Sequence, residues 1–106
     1  MAVKDIDARA STKGGGVVRV ERWRDPKTGA VVKYNMAYVN FGIHSGDNGR
    51  VLGFDNSHPY PGFPTLHHYH WMGSVYHHGK FLSFDQTLDL FERLLKRLKQ
   101  HHGKAY

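Results

Sequence analysis

One amphipathic segment near the C-terminal end constrains the fold more than any other feature of this chain. Its large apolar residues recur every three or four positions, which is the period of one helix face. These residues are Phe84, Leu88, Phe91, Leu95 and Leu98, with Leu90 and Leu94 widening the stripe. A helix with so broad an apolar face must pack against another surface, and the preceding residues predict strands that supply it.

The ends of this helix also have recognisable signals. Ser83 can cap the first turn through its hydroxyl, and Gln86, three residues later, completes a capping box. Gly103 is typical of a residue that follows a helix end. We therefore predict one helix that begins at Ser83 and ends near Gly103.

The strand segments are rich in β-branched and aromatic residues and are separated by turn residues. In chain order they are Val17–Arg24, Ala30–Phe41, Arg50–Phe54, Leu66–Trp71 and, as a last hairpin or bend around His77-His78-Gly79, Val75–Leu82. Residues 1–16 have mixed charges and a triple glycine without a period, which indicates a flexible N-terminal arm. The prediction is an α+β fold: an antiparallel sheet of four to five strands with one C-terminal helix packed on it, over a single domain at residues 17–102.

Charge and cysteine content narrow the chemistry. The formal net charge is +6 with histidines neutral, which favours polyanionic partners such as RNA. No cysteine is present, so disulfides, a thiolate nucleophile and Cys-ligated zinc are excluded, and His, Asp and Glu remain as metal ligands. The sequence has no apolar run long enough for a membrane span and no apolar core typical of a signal peptide. We therefore expect a cytoplasmic protein without a membrane partner.

The stretch Phe54–Trp71 holds the residues best suited to chemistry, with four histidines and three prolines in eighteen positions. Alternate side chains of a strand share a face, so His68 and His70 should project together, with Cβ atoms about 6–7 Å apart. Asp55 ends the preceding strand and reaches the histidine pair if the two strands are neighbours. The loop after it cannot lie inside a sheet because its prolines lack the N–H that a ladder needs, and it carries His58.

Three functions fit these residues. In metal-free RNA cleavage, one of His68 and His70 removes the 2′-hydroxyl proton, the other protonates the leaving oxygen, and a Lys or Arg stabilises charge. In a divalent-metal site, His68, His70 and either Asp55 or His58 bind the ion and leave a position for water. The third function is binding of nucleic acid or a protein partner without catalysis, with the histidines as solvated polar surface.

The same residues resemble a known family. The sequence Phe54-Asp55-Asn56, a glycine-containing loop, the pair His68-x-His70 and a helix that starts with S-x-x-Q are similar to the TumE family of small bacterial toxins from toxin–antitoxin pairs. Tyr34–Val39 and Phe84–Leu95 also resemble its second strand and terminal helix, so the resemblance covers about Val17 to Leu98. The loop Ser57–Pro64 is richer in proline than the family's glycine-rich version.

The resemblance implies a toxin with an antiparallel sheet and a C-terminal helix, a helix-turn-helix antitoxin protein as partner, and RNA as target by analogy with other small basic toxins. With it, we predict a metal-independent endoribonuclease that needs no cofactor, has His68 and His70 as its acid–base pair, and can form a homodimer. Asp55 is the predicted orienting carboxylate. Asn56, His58 and Arg50 are the predicted binding residues. The alternative remains a divalent metal held by His68, His70, Asp55 and His58.

Overall fold

The predicted strands form one meander. The computed structural model describes residues 1–81 and 83–101, with the side chain at position 101 excluded. Its elements are β1 (Val3–Ser11), β2 (Val17–Arg24), β3 (Val31–Val39), a short 3-10 turn (Asp47–Gly49), β4 (Arg50–Asp55), β5 (His68–Trp71), β6 (Ser74–His77) and α1 (Phe84–His101). The strands pair antiparallel in the order β1-β2-β3-β4-β5-β6, so each strand lies beside its sequence neighbour. The α+β class is confirmed, with six strands where four to five were predicted.

The additional strand is β1, and the prediction of an unstructured arm over residues 1–16 was wrong for this part of it. Strand β1 pairs with β2 along its length, and the two strands are joined by a tight turn in which the Thr12 amide donates to the Gly16 carbonyl at 2.8 Å. Gly15 supplies the left-handed backbone of that turn, at φ +85°. Because almost every residue of β1 is exposed, no alternation of buried and polar residues marked it as a strand.

The last hairpin also differs from the prediction. Strands β5 and β6 reverse at Met72-Gly73, where φ is 47° and 88°, and the predicted segment His77-His78-Gly79 leads only into a turn at Gly79-Lys80 after β6. Positive φ at both central residues is the geometry of the two-residue turn that matches strand twist. Methionine is uncommon at such a position, so the sequence did not indicate the turn.

The helix begins as predicted. The Ser83 hydroxyl accepts a hydrogen bond from the Gln86 amide at 3.1 Å, which caps the first turn. Helix α1 then packs across β3 and β4. The buried apolar core joins one sheet face to one helix face and comprises Tyr34, Met36, Tyr38, Val51, Leu52, Phe54, Phe84, Phe91, Leu95 and Leu98. The predicted ends of the helix at Gly103 and of the domain at His102 lie outside the described residues.

The two faces of the sheet therefore have different surroundings. On the helix side, Met36 lies opposite Phe54, and Phe54 lies opposite Tyr69. The neighbouring residues Asn35, Asp55 and His68 form a cross-strand row on the other face, because side chains alternate along each strand. The polar cluster therefore lies on the sheet face that α1 does not cover. Within the described residues, no helix is long and apolar enough to cross a bilayer.

Candidate functional site

Strand pairing brings the predicted residues together. Asp55 lies directly opposite His68, and Gly53 lies opposite His70, so both imidazoles flank the end of β4. The His68 Nε2 atom is 2.9 Å from Asp55 Oδ1, and the His70 Nε2 atom is 3.5 Å from Asp55 Oδ2. The two imidazole centroids are 5.0 Å apart. The predicted convergence of these three side chains is confirmed.

The cluster is buried although α1 lies on the other side of the sheet. His68 is 0 % exposed, His70 is 3 % exposed and Asp55 is 4 % exposed. The proline loop accounts for part of this cover, because the ring of Tyr60 lies edge-on to the His68 ring at 4.7 Å between centroids. Any reactant must therefore displace a covering group before it touches an imidazole.

His68 has its tautomer set by a backbone contact. Its Nδ1 atom lies 2.9 Å from the carbonyl oxygen of Leu66. A carbonyl oxygen can only accept, so Nδ1 carries the proton and donates it. In the neutral ring, Nε2 is then an unprotonated atom with a lone pair, and this atom faces the Asp55 carboxylate.

The contact between His68 and Asp55 is short without the geometry of a hydrogen bond. His68 Nε2 and His70 Nδ1 are both buried nitrogens that lack a well-directed hydrogen-bond partner among the described residues. Carboxylate oxygens are nevertheless 2.9 Å from the first nitrogen and 3.1 Å from the second. Because a hydrogen bond weakens steeply away from linearity, these short contacts are not strong hydrogen bonds. The nitrogen and oxygen atoms are therefore close together, but their relative orientation leaves His68 Nε2 and His70 Nδ1 without a hydrogen bond.

A second carboxylate, which the sequence analysis did not identify, joins the cluster. Asp47 Oδ2 lies 3.1 Å from His70 Nδ1, and the same carboxylate accepts two hydrogen bonds of 3.1 Å from the Arg50 guanidinium. Asp47 belongs to a turn in which it and Asn48 have φ of 50° and 55°, which folds the loop back over β4. Aspartate is an ordinary turn residue, so only its spacing of three residues before Arg50 hinted at this role.

Arg50 reaches the cluster by crossing a glycine. Its Nη1 atom lies 3.4 Å from Asp55 Oδ2, five residues along the chain. A Cβ atom added at Gly53 would lie 2.8 Å from Arg50 Cδ and 3.1 Å from the Met36 carbonyl oxygen. The missing side chain at position 53 therefore makes room for the arginine to lie across the strand.

The electrostatics favour an ionised carboxylate beside neutral imidazole. Burial by itself would raise the pKa of Asp55, but the contact with His70 and the hydrogen bond from the Ser57 amide outweigh it and lower that pKa. Burial lowers the pKa of His68, and the Leu66 carbonyl and the charge of Asp55 only partly oppose this. The lowered pKa of Asp55 and the lowered pKa of His68 both favour an ionised Asp55 carboxylate next to an unprotonated His68 Nε2. These two atoms repel each other unless a cation lies between them.

The remaining predicted binding residues have other positions. The Asn56 side chain accepts the Tyr34 amide at 3.0 Å and donates to the Val32 carbonyl at 3.2 Å, so it connects the end of β4 to the start of β3. His58 is exposed in the proline loop and does not belong to the converging donor group. Neither residue therefore belongs to the donor group of Asp55, His68 and His70, and a role for them in binding phosphate stays a prediction.

The donor set has the dimensions of a metal site. One ligand atom from each of Asp55, His68 and His70 lies within 4.8 Å of the others. In a tetrahedral zinc site with bonds of ~2.0 Å, ligand atoms are about 3.3 Å apart. In this cluster the distance from His68 Nε2 to Asp55 Oδ1 is 2.9 Å, and that from His70 Nε2 to the other carboxylate oxygen, Oδ2, is 3.5 Å. Metal-bound histidines usually donate their other ring N–H to a carbonyl or a carboxylate, as His68 does to Leu66 here, and the Asp47 carboxylate lies 3.1 Å from the corresponding nitrogen of His70.

Comparison with known proteins adds no assignment: no family model, no curated protein and no solved structure matches this chain. Membership of the TumE family therefore stays a prediction from the sequence.

Proposed function

We propose that Asp55, His68 and His70 bind one divalent transition-metal ion, with Zn²⁺ as the principal candidate, and that the chain uses this centre to hydrolyse RNA. The observation that carries the proposal is the orientation of His68, which donates through Nδ1 to the Leu66 carbonyl and turns Nε2 towards the Asp55 carboxylate. Two nitrogens and one oxygen are typical ligands for zinc, and three protein ligands leave a position for water.

The charges of the cluster support a bound cation. Two carboxylates, Asp47 and Asp55, contact one guanidinium, that of Arg50. When both imidazoles are neutral, one negative charge has no counterpart in this group. A buried uncompensated charge is costly, so either a proton or a metal ion must balance it. The lowered pKa of His68 argues against a proton on that imidazole.

Burial separates the metal-dependent function from the metal-free one. A general acid or base must come within hydrogen-bond distance of the proton that it transfers. His68 and His70 have side chains that are 0 % and 4 % exposed, and both face the same carboxylate. Metal binding uses these ligands where they lie, buried together, whereas metal-free catalysis requires both imidazoles to be uncovered. We therefore favour metal-dependent hydrolysis over the predicted metal-free acid–base pair.

Each neighbouring group has a role in this proposal. Asp47 orients His70, and the Leu66 carbonyl orients His68. Arg50 binds a phosphate oxygen with its guanidinium, which is the group best suited to that geometry. A metal ion held by Asp55, His68 and His70 would supply the activation of water for attack on phosphorus; the P–O bond to the leaving oxygen would break, and that oxygen would take up the proton released by the water.

The net charge of +6 and the resemblance to a toxin family support RNA as the substrate and a cytoplasmic toxin role, with a helix-turn-helix antitoxin as partner. Induced expression of the chain in a bacterial host should then arrest growth, and co-expression of the adjacent reading frame should restore it. Growth arrest by the His68→Ala variant at wild-type protein level would contradict the role of the cluster in toxicity.

Metal binding is tested with purified protein. After chelator treatment and dialysis, titration with Zn²⁺ should give one site per chain, and Asp55→Asn and His70→Gln should each weaken binding at least tenfold. His58→Ala is the matched control, because this histidine lies in the adjoining loop outside the donor group and should leave affinity unchanged. Wild-type affinity in both cluster variants, or absence of binding by folded wild-type protein, would refute the metal site.

RNA hydrolysis is tested separately with a labelled single-stranded RNA. Zinc-loaded protein should cleave it, chelator should stop cleavage, and added Zn²⁺ should restore it. Cleavage that survives chelator would support the metal-free acid–base mechanism instead. Salt-dependent RNA binding without product, unchanged in His68→Ala, would support a non-catalytic binding module.

A further inference from the structure

Strand β1 forms one edge of the sheet and presents an unpaired backbone over a long distance. Among residues 1–81 and 83–101, only β2 pairs with it, although β1 is nine residues long. The opposite edge strand, β6, has four residues. A long exposed edge is a template for pairing with another chain, and natural proteins usually shorten, bend or cover such edges.

The charges of β1 are poorly matched within its own sheet. Asp7 lies directly opposite Glu21, and Arg9 lies directly opposite Arg19. Like charges at directly opposed positions destabilise a strand pair. Lys4 reduces the first conflict because its Nζ atom lies 3.3 Å from Asp7 and 2.6 Å from Glu21. An opposite charge on the free side of the strand would therefore stabilise both Asp7 and Arg9.

We propose that this free side pairs antiparallel with β1 of a second copy of the chain, about a two-fold axis through Ala8. In this register Asp7 of each copy lies opposite Arg9 of the other, so two new pairs of opposite charge form on the sheet face away from α1. Ile6 lies opposite the other copy's Ala10 on the helix-side face. A single two-fold contact closes on itself and gives a dimer, not a fibre.

Other registers lack this complementarity. If the axis passes through Asp7, two carboxylates face each other at the centre. If it passes through Ile6, Asp5 lies opposite Asp7 of the other copy. An axis between Ile6 and Asp7 places Lys4 opposite Arg9. The charges in β1 therefore select the register centred on Ala8 over these alternatives.

The local geometry of β1 permits this contact. Its register with β2 shifts between Lys4 and Ile6, and from Ile6 to Ser11 the pairing is regular. The bulge is confined to the first part of the strand, so the segment on both sides of Ala8 keeps an extended edge. Ala8 and Ala10 have small side chains that allow close approach. The proposed contact is independent of the metal site, since the cluster belongs to β4, β5 and the turn before β4.

Disulfide trapping tests the register in the intact chain, which has no cysteine of its own. An Ala8→Cys variant places its thiol opposite its own copy, at a Cα separation of about 4.5–5.5 Å that a disulfide can bridge. Under mild oxidation it should run as a covalent dimer in non-reducing gels. Ala10→Cys is the matched control: the two thiols are offset by four residues, roughly 13 Å, and should not link. Equal or faster linkage of Ala10→Cys would overturn the register.

Charge reversal tests the energetic argument. Arg9→Asp places two carboxylates opposite each other between copies, yet relieves the conflict with Arg19 within the chain. It should therefore raise the dimer dissociation constant at least tenfold in sedimentation equilibrium. The free energy of unfolding of the monomer should stay equal or increase. The double variant Asp7→Arg/Arg9→Asp restores opposite charges across the axis and should recover the dimer. A wild-type chain that remains monomeric at millimolar concentration would refute the proposal. A dimer whose dissociation constant is the same in Arg9→Asp and in Asp7→Arg/Arg9→Asp as in the wild type would also refute it.

Discussion

Replacing Asp55 by Asn distinguishes a metal ion from a proton as the partner of the buried carboxylate. The substitution is nearly isosteric and keeps an oxygen that can accept the Ser57 amide at 3.0 Å. It removes the negative charge that lies between His68, His70 and Arg50. The two explanations of the cluster give opposite expectations for the stability of the metal-free protein.

If both imidazoles are neutral, as the metal proposal requires, the metal-free cluster carries one excess negative charge and Asp55→Asn removes it. The free energy of unfolding without metal should then change by no more than about 1 kcal/mol, because the lost Arg50 contact of 3.4 Å is long and the uncompensated charge is gone. If either imidazole is protonated instead, Asp55→Asn breaks a buried ion pair and should cost ~3–5 kcal/mol.

Zinc provides the second half of the measurement. At a free concentration of 100 times its dissociation constant, a ligand stabilises the folded state by about 2.7 kcal/mol, which raises the melting temperature of a domain this size by roughly 10 °C. The wild-type protein should show this shift, and Asp55→Asn should lose most of it. Urea unfolding and thermal melts, each with chelator and with zinc, measure both quantities. If Asp55→Asn loses more than about 3 kcal/mol in chelator and zinc does not raise the melting temperature of the wild type, the cluster holds a proton and not a metal ion.

Three further predictions concern the fold around the site. Gly53→Ala should cost ~1–3 kcal/mol in urea unfolding, because the new methyl group lies against the Arg50 stem; an unchanged midpoint would contradict the tight crossing. Burial lowers the pKa of His78, so the unfolded chain protonates first and stability should fall as pH drops below about 6.5. His78→Phe should reduce that slope by up to ~1.4 kcal/mol per pH unit in pH-dependent unfolding, and an identical slope would argue against a buried neutral ring. Ser83→Ala should cost about 1 kcal/mol by removing the helix cap, and no change in melting would show that another group caps α1.

The sequence predicted the elements in which burial against the core imposes a regular spacing of apolar residues. Strand β2 was predicted with the bounds that it has, and α1 with its Ser83 cap, because Phe91, Leu95 and Leu98 must reach the buried side. The pair His68 and His70 was predicted to share a face for the same reason, since the side-chain period of a strand is two.

The parts that the sequence did not predict depend on backbone geometry or on edges. Strand β1 is exposed along both faces, so hydrogen bonding to β2 and not burial defines it. The hairpin turn at Met72-Gly73 needs positive φ at a methionine, which no composition rule indicates. Asp47 reaches His70 only because two residues of its turn adopt left-handed backbone, so its place beside the cluster became visible only in three dimensions.

The protonation state of the two His68 ring nitrogens shows whether Nε2 is free to bind a metal ion. Long-range ¹H–¹⁵N NMR near neutral pH reports which nitrogen is protonated and which one changes when metal is added. We expect a protonated Nδ1 and an unprotonated Nε2 of His68 in the metal-free protein, and we expect the Nε2 resonances of both His68 and His70 to shift on addition of one equivalent of Zn²⁺. Protonation of both His68 nitrogens, with no change on adding zinc, would contradict this expectation.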